Sequence, residues 1–324
     1  MTAQIYTLNN GSASFTRRMG TLPAWHGLGG ETPANAPLEV WARNAGMDFE
    51  IIAAPVEYTT ASGATLTAAG QRVLYRDDTA KALGIVSDRY KVVQPAEVLE
   101  FFRDLTLAGG FELETAGVLG EGGKYWALAT NGQAANLSGD VIKPYLLLAT
   151  ACDGSMATTA QFTSVRVVCQ NTLSMSLRAD GNSAIKVSHR TTFDSVAVKR
   201  ELGIDQTFDA FMASVDRMAS TRIGDKAAAD TIWQLFAEGK DMAKANELPK
   251  QNRDKIESVW DLFKGKAHGA DLPTARGTVW GLLNAVTEYV DHQYRARSDE
   301  NRLNSAWFGQ GKAIKDRAFA MLAA

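Results

Sequence analysis

The chain has 324 residues, of which 45% are hydrophobic and 22% are charged, and these proportions are ordinary for a globular protein. The composition therefore excludes a chain that is disordered throughout. The 34 Lys and Arg residues nearly balance the 36 Asp and Glu residues, which leaves a net charge of −2. A protein that coats nucleic acid through bulk positive charge is also excluded, so any nucleic-acid site has to be a local patch.

The N-terminus and the cysteines predict a cytoplasmic protein. The N-terminal arm as far as Arg18 has no apolar segment of the kind that a signal peptide needs. The longest apolar run, from Tyr145 to Cys152, is far shorter than the ~20 residues of a membrane span. Two cysteines, Cys152 and Cys169, do not make a disulfide framework. We therefore expect a soluble protein in a reducing compartment, without a membrane partner.

The first part of the chain predicts strands separated by glycine-rich turns, with two helices that begin at Pro37 and Pro95. The run Tyr145–Ala151 is apolar on both faces, which is typical of a buried central strand. The predicted strands are Phe49–Tyr58, Gln71–Tyr75, Gly84–Val93, Phe111–Val118, Lys124–Thr130, Tyr145–Ala151 and Gln161–Cys169.

Helical periodicity dominates after residue 195. Because strands come first and helices follow, the predicted fold class is α+β, with a sheet-rich N-terminal part and a helical C-terminal part. We expect residues 1–194 to form an α+β domain that contains the sheet, and residues 195–324 to form a helical domain or an extension packed on it. Helices are predicted from Thr207, from Asp225, around Ile256–Phe263, over Thr274–Tyr294 and over Lys312–Leu322.

A local excess of positive charge lies between Gln161 and Arg200. These 40 residues hold six cations and two carboxylates, a surplus of four positive charges. The surrounding Ser, Thr, Asn and Gln side chains suit contacts to phosphate oxygens. The stretch is a candidate nucleic-acid site, and a solvated loop without a function is the alternative. Its cations are Arg166, Arg178, Lys186, Arg190, Lys199 and Arg200.

Two further sets of side chains are candidates. Tyr125 and Trp126 follow the glycine turn of a predicted hairpin, where an aromatic ring is a possible platform for base stacking; the same rings equally suit a hydrophobic core. On the predicted helix 274–294, Glu288 is four residues before His292, and Asp291 has the same spacing to Arg295, so both pairs meet on the helix surface. The pairs indicate either a polar constellation for metal or acid/base chemistry, or ordinary surface ion pairs.

No metal or cofactor is expected. The four histidines are far apart in the chain, and no pair of His or Cys residues has the spacing of a zinc site. No residue is assigned as catalytic, and an enzymatic activity stays open.

Four motifs occur in a characteristic order along nearly the whole chain: Trp25-His-Gly-Leu-Gly29, Arg166-Val-Val-Cys-Gln-Asn-Thr-Leu173, Asn284-Ala-Val-Thr-Glu-Tyr-Val-Asp-His292 and Trp307-Phe-Gly309. They resemble the phage/plasmid-like protein family, a domain-of-unknown-function group found in bacteriophages, plasmids and integrated elements. The resemblance implies a mobile-element protein that works in a bacterial cytoplasm. It implies no catalytic residues.

This context and the basic stretch favour a non-enzymatic DNA-binding protein of phage or plasmid recombination or replication. By analogy with annealing proteins that form rings with a basic groove, the expected ligand is single-stranded DNA and the expected assembly a homo-oligomer. The first alternative is an enzyme or nucleotide-binding protein of unknown reaction, and the second is an anti-defence or partner-binding protein. The site of the first alternative would use Trp25, His26, Glu288, Asp291 and His292.

Overall fold

The structure, a computed structural model, describes residues 13–20, 29–109, 111–168, 171–174, 184–187, 194, 204–237, 239–240 and 242–323. The strands are β1 (Ala13–Arg18), β2 (Gly30–Thr32), β3 (Ile51–Thr59), β4 (Thr65–Arg76), β5 (Ala82–Ser87), β6 (Glu112–Leu119), β7 (Lys124–Thr130), β8 (Ala135–Leu137), β9 (Asp140–Ala151), β10 (Thr158–Arg166), β11 (Asn171–Ser174) and β12 (Ala184–Val187). The α-helices are α1 (Leu38–Ala45), α2 (Pro95–Gly109), α3 (Ile204–Ser220), α4 (Asp225–Phe236), α5 (Lys250–Asp261), α6 (Val279–Glu288), α7 (Asp299–Phe308) and α8 (Gln310–Leu322). Strands dominate the first half and helices the last part, which confirms the α+β class.

The chain forms two compact units. The first contains residues 1–132, 145–162 and 184–203, and the second contains residues 133–144, 163–183 and 204–324. The second unit therefore includes two segments from before residue 194 together with the C-terminal helices. Each unit consists of three segments of the chain, whereas the prediction has a single boundary at residue 194.

Two sheets run through the first unit. Strands β1 and β6, β6 and β7, and β7 and β9 are antiparallel neighbours, while β2 runs parallel to β1. Strands β3, β4 and β5 form a separate antiparallel sheet. The predicted hairpin between β6 and β7 turns at Gly120–Gly122. Gly122 has a φ of +102°, and a Cβ there would lie 3.0 Å from the ring of Phe49, so this turn requires glycine.

The apolar run Tyr145–Ala151 lies inside the larger sheet, between the neighbours β7 and β10. Every residue of the run is buried. Because both faces of the strand are covered, both faces have to be apolar, and the prediction of a buried central strand is confirmed. The N-terminal helices are also as expected: α1 ends before Gly46, whose φ is +70°, and α2 begins at Pro95.

In the second unit, α6 is buried along its whole length. The predicted helix over residues 274–294 is shorter than expected at both ends. It begins after Thr278, whose side chain accepts a hydrogen bond from the N–H of Gly281, and it passes after Glu288 into a π-helical turn, Tyr289–Gln293. On α5, Val259 is fully buried but Trp260 is only half-buried, so the apolar stripe of that helix is narrower than its sequence suggests.

Candidate functional site

Arg166, the first cation of the basic stretch, lies at the end of β10, and only 3% of it is exposed. Its Nε donates to both carboxylate oxygens of Asp140, at 2.7 and 2.9 Å. Its terminal nitrogens donate to the backbone carbonyls of His268 and Gly269, at 3.3 and 3.1 Å. The prediction that Arg166 binds phosphate is therefore corrected, because this guanidinium is buried in an ion pair within the protein.

Asp140 begins β9 and gathers side-chain donors from distant segments. Its Oδ2 accepts from the hydroxyl of Thr274 and from the indole N–H of Trp280, each at 3.0 Å, in addition to the bonds from Arg166. Charge-assisted hydrogen bonds of this kind replace the hydration that a buried carboxylate loses. No local pattern in the sequence marks Asp140, because its side-chain partners are 26 to 140 residues away.

Lys186 is exposed on β12, opposite Thr159 of β10. It is the candidate phosphate-binding residue that stays accessible within the described part of the chain. The other four candidates lie outside the described residues; they are Arg178, Arg190, Lys199 and Arg200.

Tyr125 and Trp126 fill the core of the first unit, with exposures of 1% and 0%. The hydroxyl of Tyr125 donates to the backbone carbonyl of Val93, and burial raises the pKa of Tyr125 well above its ordinary value. The ring of Trp126 lies 5.8 Å from that of Phe15, centroid to centroid. Neither ring is exposed enough for a base to stack on it, so the stacking role is corrected in favour of the core-filling alternative.

Glu288, the last residue of α6, is buried. Its carboxylate accepts a hydrogen bond from the backbone N–H of His268 at 3.1 Å and lies 2.8 Å from Nδ1 of the same histidine. The imidazole is largely exposed, whereas the carboxylate is not. The pair therefore holds the loop of His268 against the end of α6.

Asp291 takes part in a second buried ion pair. It accepts from the backbone N–H of Thr172 at 2.6 Å, from the hydroxyl of Thr172 at 3.0 Å and from the Nζ of Lys315 at 2.7 Å. Lys315 also donates to the Thr172 hydroxyl, at 2.7 Å. Here both charged side chains are only 4% exposed, so the trio ties β11 and α8 to the π-turn.

The π-turn explains why helical spacing in the sequence did not predict the partners of Glu288 and Asp291. The predicted pairs assumed an α-helix that continues to Tyr294, but the N–H of Tyr294 donates to the carbonyl of Tyr289, five residues back, at 2.7 Å. Residues four apart no longer stand above one another in such a turn. Glu288 and Asp291 instead reach His268 and Lys315, from segments that no helical spacing connects to them.

The alternative acid/base site combines the carboxylates of Glu288 and Asp291 with Trp25, His26 and His292. His292 is exposed on the π-turn, while Trp25 and His26 lie outside the described residues. Both carboxylates face protein donors within the fold. Glu288 and Asp291 are thus each paired with a residue from outside the proposed set, His268 and Lys315.

The π-turn also borders a cleft of about 450 Å³ in the second unit. Three of its lining side chains are cations and one is a carboxylate, so the walls carry a surplus of two positive charges. Two tyrosines and three uncharged polar residues complete it. The lining residues are Lys250, Gln251, Asp254, Lys255, Ser258, Tyr289, Gln293, Tyr294 and Arg295.

Cys152 is a buried thiol in the first unit, and its Sγ lies 3.4 Å from the carbonyl oxygen of Gly122. Burial raises the pKa of Cys152 to about 12, because the thiolate would lose its hydration. A thiol in this state is a poor nucleophile.

In the described ranges, no group of three or more His, Cys, Asp or Glu residues is placed to hold a metal ion. The helices of those ranges include none with the length and apolar character to cross a membrane.

The family described as Domain of unknown function (DUF932) matches residues 82–307, which are 226 of the 324 residues. No curated protein matches the chain, and no solved structure does. The matched region begins in β5 and ends in α7, so it includes Asp140, Asp291 and the whole cleft. The chain therefore belongs to the DUF932 family.

Proposed function

We propose that the chain is a non-enzymatic, single-stranded DNA-binding protein of phage or plasmid recombination or replication, and that it acts as a homo-oligomer. The observation that carries the proposal is the exposed Lys186 within a locally basic stretch of an otherwise slightly acidic chain. An exposed cation on a strand is free to meet a phosphate. The mobile-element setting comes from the four ordered motifs that resemble the phage/plasmid-like family.

The buried ion pair changes the expected strength of this interaction. Asp140 neutralises Arg166, which leaves five cations and two carboxylates in the stretch, a surplus of three rather than four positive charges. If about three phosphates are neutralised on a single strand, log K should fall with log salt at a slope of about −2 per protomer. The attraction is local and is therefore strongly screened by salt.

A fluorescence-anisotropy salt titration with a labelled single-stranded oligonucleotide tests the proposal. Lys186→Ala should weaken binding to all sequences alike and flatten the slope by about 0.7, since it removes one phosphate contact. Lys226→Ala is the matched control, because Lys226 is an exposed lysine of α4, outside the basic stretch. Size-exclusion chromatography with light scattering, with and without the oligonucleotide, reports the assembly.

Two results bear directly on the proposal. Failure of the wild-type protein to bind the oligonucleotide at about 50 mM salt would remove it, because the electrostatic attraction is strong at low salt. An equal loss of slope in the Lys186 and Lys226 variants would show that the attraction is general rather than centred on the basic stretch.

A further inference from the structure

The cleft beside the π-turn is a second basic site, separate in sequence from the stretch 161–200. Its cations are on two sides: Lys250 and Lys255 come from α5, and Arg295 follows the π-turn. Lys250 pairs with Asp254 at 2.8 Å, but both side chains are more than half exposed. Exposed pairs of this kind contribute little stability, so an incoming anion can displace the carboxylate from Lys250.

The two tyrosines of the cleft are fixed in place by contacts with each other and with neighbouring side chains. The rings of Tyr289 and Tyr294 meet edge to face, with centroids 5.9 Å apart and an interplanar angle of 80°. The hydroxyl of Tyr294 lies 2.9 Å from Oε1 of Gln310, and the Nζ of Lys255 lies 5.8 Å from the Tyr294 ring centroid. Tyr289 is buried, while Tyr294 is partly exposed. A fixed, partly exposed ring beside a cation suits a flat aromatic ligand that carries negative charge.

The end of the helix that begins with α6 forms the second wall of the cleft. Tyr289–Gln293 is a π-helical turn that follows α6 directly, and residues 294–298 after it are not helical. The turn contributes Tyr289 and Gln293 to the cleft, and its end positions Tyr294 and Arg295 there. The turn and the two residues after it thus contribute four of the nine lining residues, and α5 contributes the other five.

We propose that this cleft binds a phosphorylated nucleoside, either free or as one unit of a single nucleic-acid strand. The cations bind the phosphate, the Tyr294 ring packs on the base, and the amides of Gln251 and Gln293 hydrogen-bond the base or sugar. The volume of about 450 Å³ lies within the range of roughly 300–1,000 Å³ that is usual for small-molecule sites. The inference stands without the proposed function, since a free nucleotide has the same chemistry.

A titration followed by ligand-observed NMR tests the site with three probes: dAMP, adenosine and inorganic phosphate. We expect dAMP to bind more tightly than either fragment, because the two halves of the ligand use different walls of the cleft. Lys255→Ala and Arg295→Ala should each weaken dAMP binding about tenfold, the usual effect of losing one charged contact. Tyr294→Phe should keep the binding, and Tyr294→Ala should lose it.

Lys264→Ala is the matched control. Lys264 also lies over an aromatic ring, 5.4 Å from the Trp260 centroid, but it is outside the cleft. This variant should bind dAMP as the wild type does. Urea unfolding of every variant shows whether the fold is retained, and the surface variants Lys255→Ala and Arg295→Ala do not disturb the core.

A labelled oligonucleotide separates the two sources of the ligand. If the cleft takes one unit of a strand, dAMP competes with the oligonucleotide and Lys255→Ala weakens both. If it takes a free nucleotide, Lys255→Ala affects dAMP alone. The inference is overturned if dAMP does not bind at about 5 mM, if phosphate alone binds as tightly as dAMP, or if Lys255→Ala and Lys264→Ala have the same effect. Loss of oligonucleotide binding in the Lys186 variant alone would concern the proposed function and not this cleft.

Discussion

Asp140→Ala removes the carboxylate that holds four side-chain hydrogen bonds together in the second unit. Arg166, only 3% exposed, would lose both bonds from its Nε, and Thr274 and Trp280 would lose their shared acceptor. Leaving one charge of a buried pair without its partner costs about 3–5 kcal/mol of the free energy of unfolding. Because the entropy of unfolding is about 2.1 cal/mol/K per residue, a chain of 324 residues loses about 1.5 °C per kcal/mol, and Tm should fall by roughly 4–7 °C.

Urea unfolding followed by circular dichroism measures this cost, and a double variant isolates its cause. Asp140→Ala combined with Arg166→Met removes both charges, so it should recover a large part of the lost stability. The single variant Arg166→Met should leave the salt slope of oligonucleotide binding unchanged, because the guanidinium does not face solvent. An Asp140→Ala protein as stable as the wild type, or a double variant no better than the single one, would refute the reasoning.

Three shorter predictions follow from burial. Lys315→Met should cost about 3–5 kcal/mol in urea unfolding, since it leaves a buried carboxylate without its cation. Trp260→Ala should cost less than Phe211→Ala, for which about 3–5 kcal/mol is expected, because Trp260 is half-buried and Phe211 is almost fully buried; equal costs in the same assay would contradict this. In a Cys169→Ser background, iodoacetamide at pH 8.5 should label Cys152 far more slowly in the folded protein than in urea, because its pKa is raised to about 12.

The hydrophobic pattern and the residues at helix ends were sufficient to predict several strands and helices. The run Tyr145–Ala151, which is apolar on both faces, is the buried C-terminal part of β9, and Pro95 is the first residue of α2, as is common for a proline at a helix start. Gly46 ends α1 in the left-handed region, where glycine carries no steric penalty. These features depend on residues that are only a few positions apart in the chain, so they can be predicted from the sequence alone.

The strand ends and the helix 274–294 were less predictable. β9 begins at Asp140, five residues before its apolar run, because pairing with β8 continues the strand beyond the buried segment. The long predicted helix ends in the π-turn Tyr289–Gln293, which has no signature in hydrophobic spacing. Tertiary packing therefore decided where these elements begin and how they end.

The role of each charged residue was decided by the tertiary structure. The sequence determined that residues 161–200 carry a surplus of positive charge and that Glu288 and Asp291 lie close together on one segment. It did not determine that Arg166 would be withdrawn from that surplus by Asp140, nor that the two carboxylates would be occupied by distant partners. The sequence determines how many charges a segment carries. Whether a charged side chain is available to a ligand depends on its burial and on the nearest opposite charge, and the fold determines both.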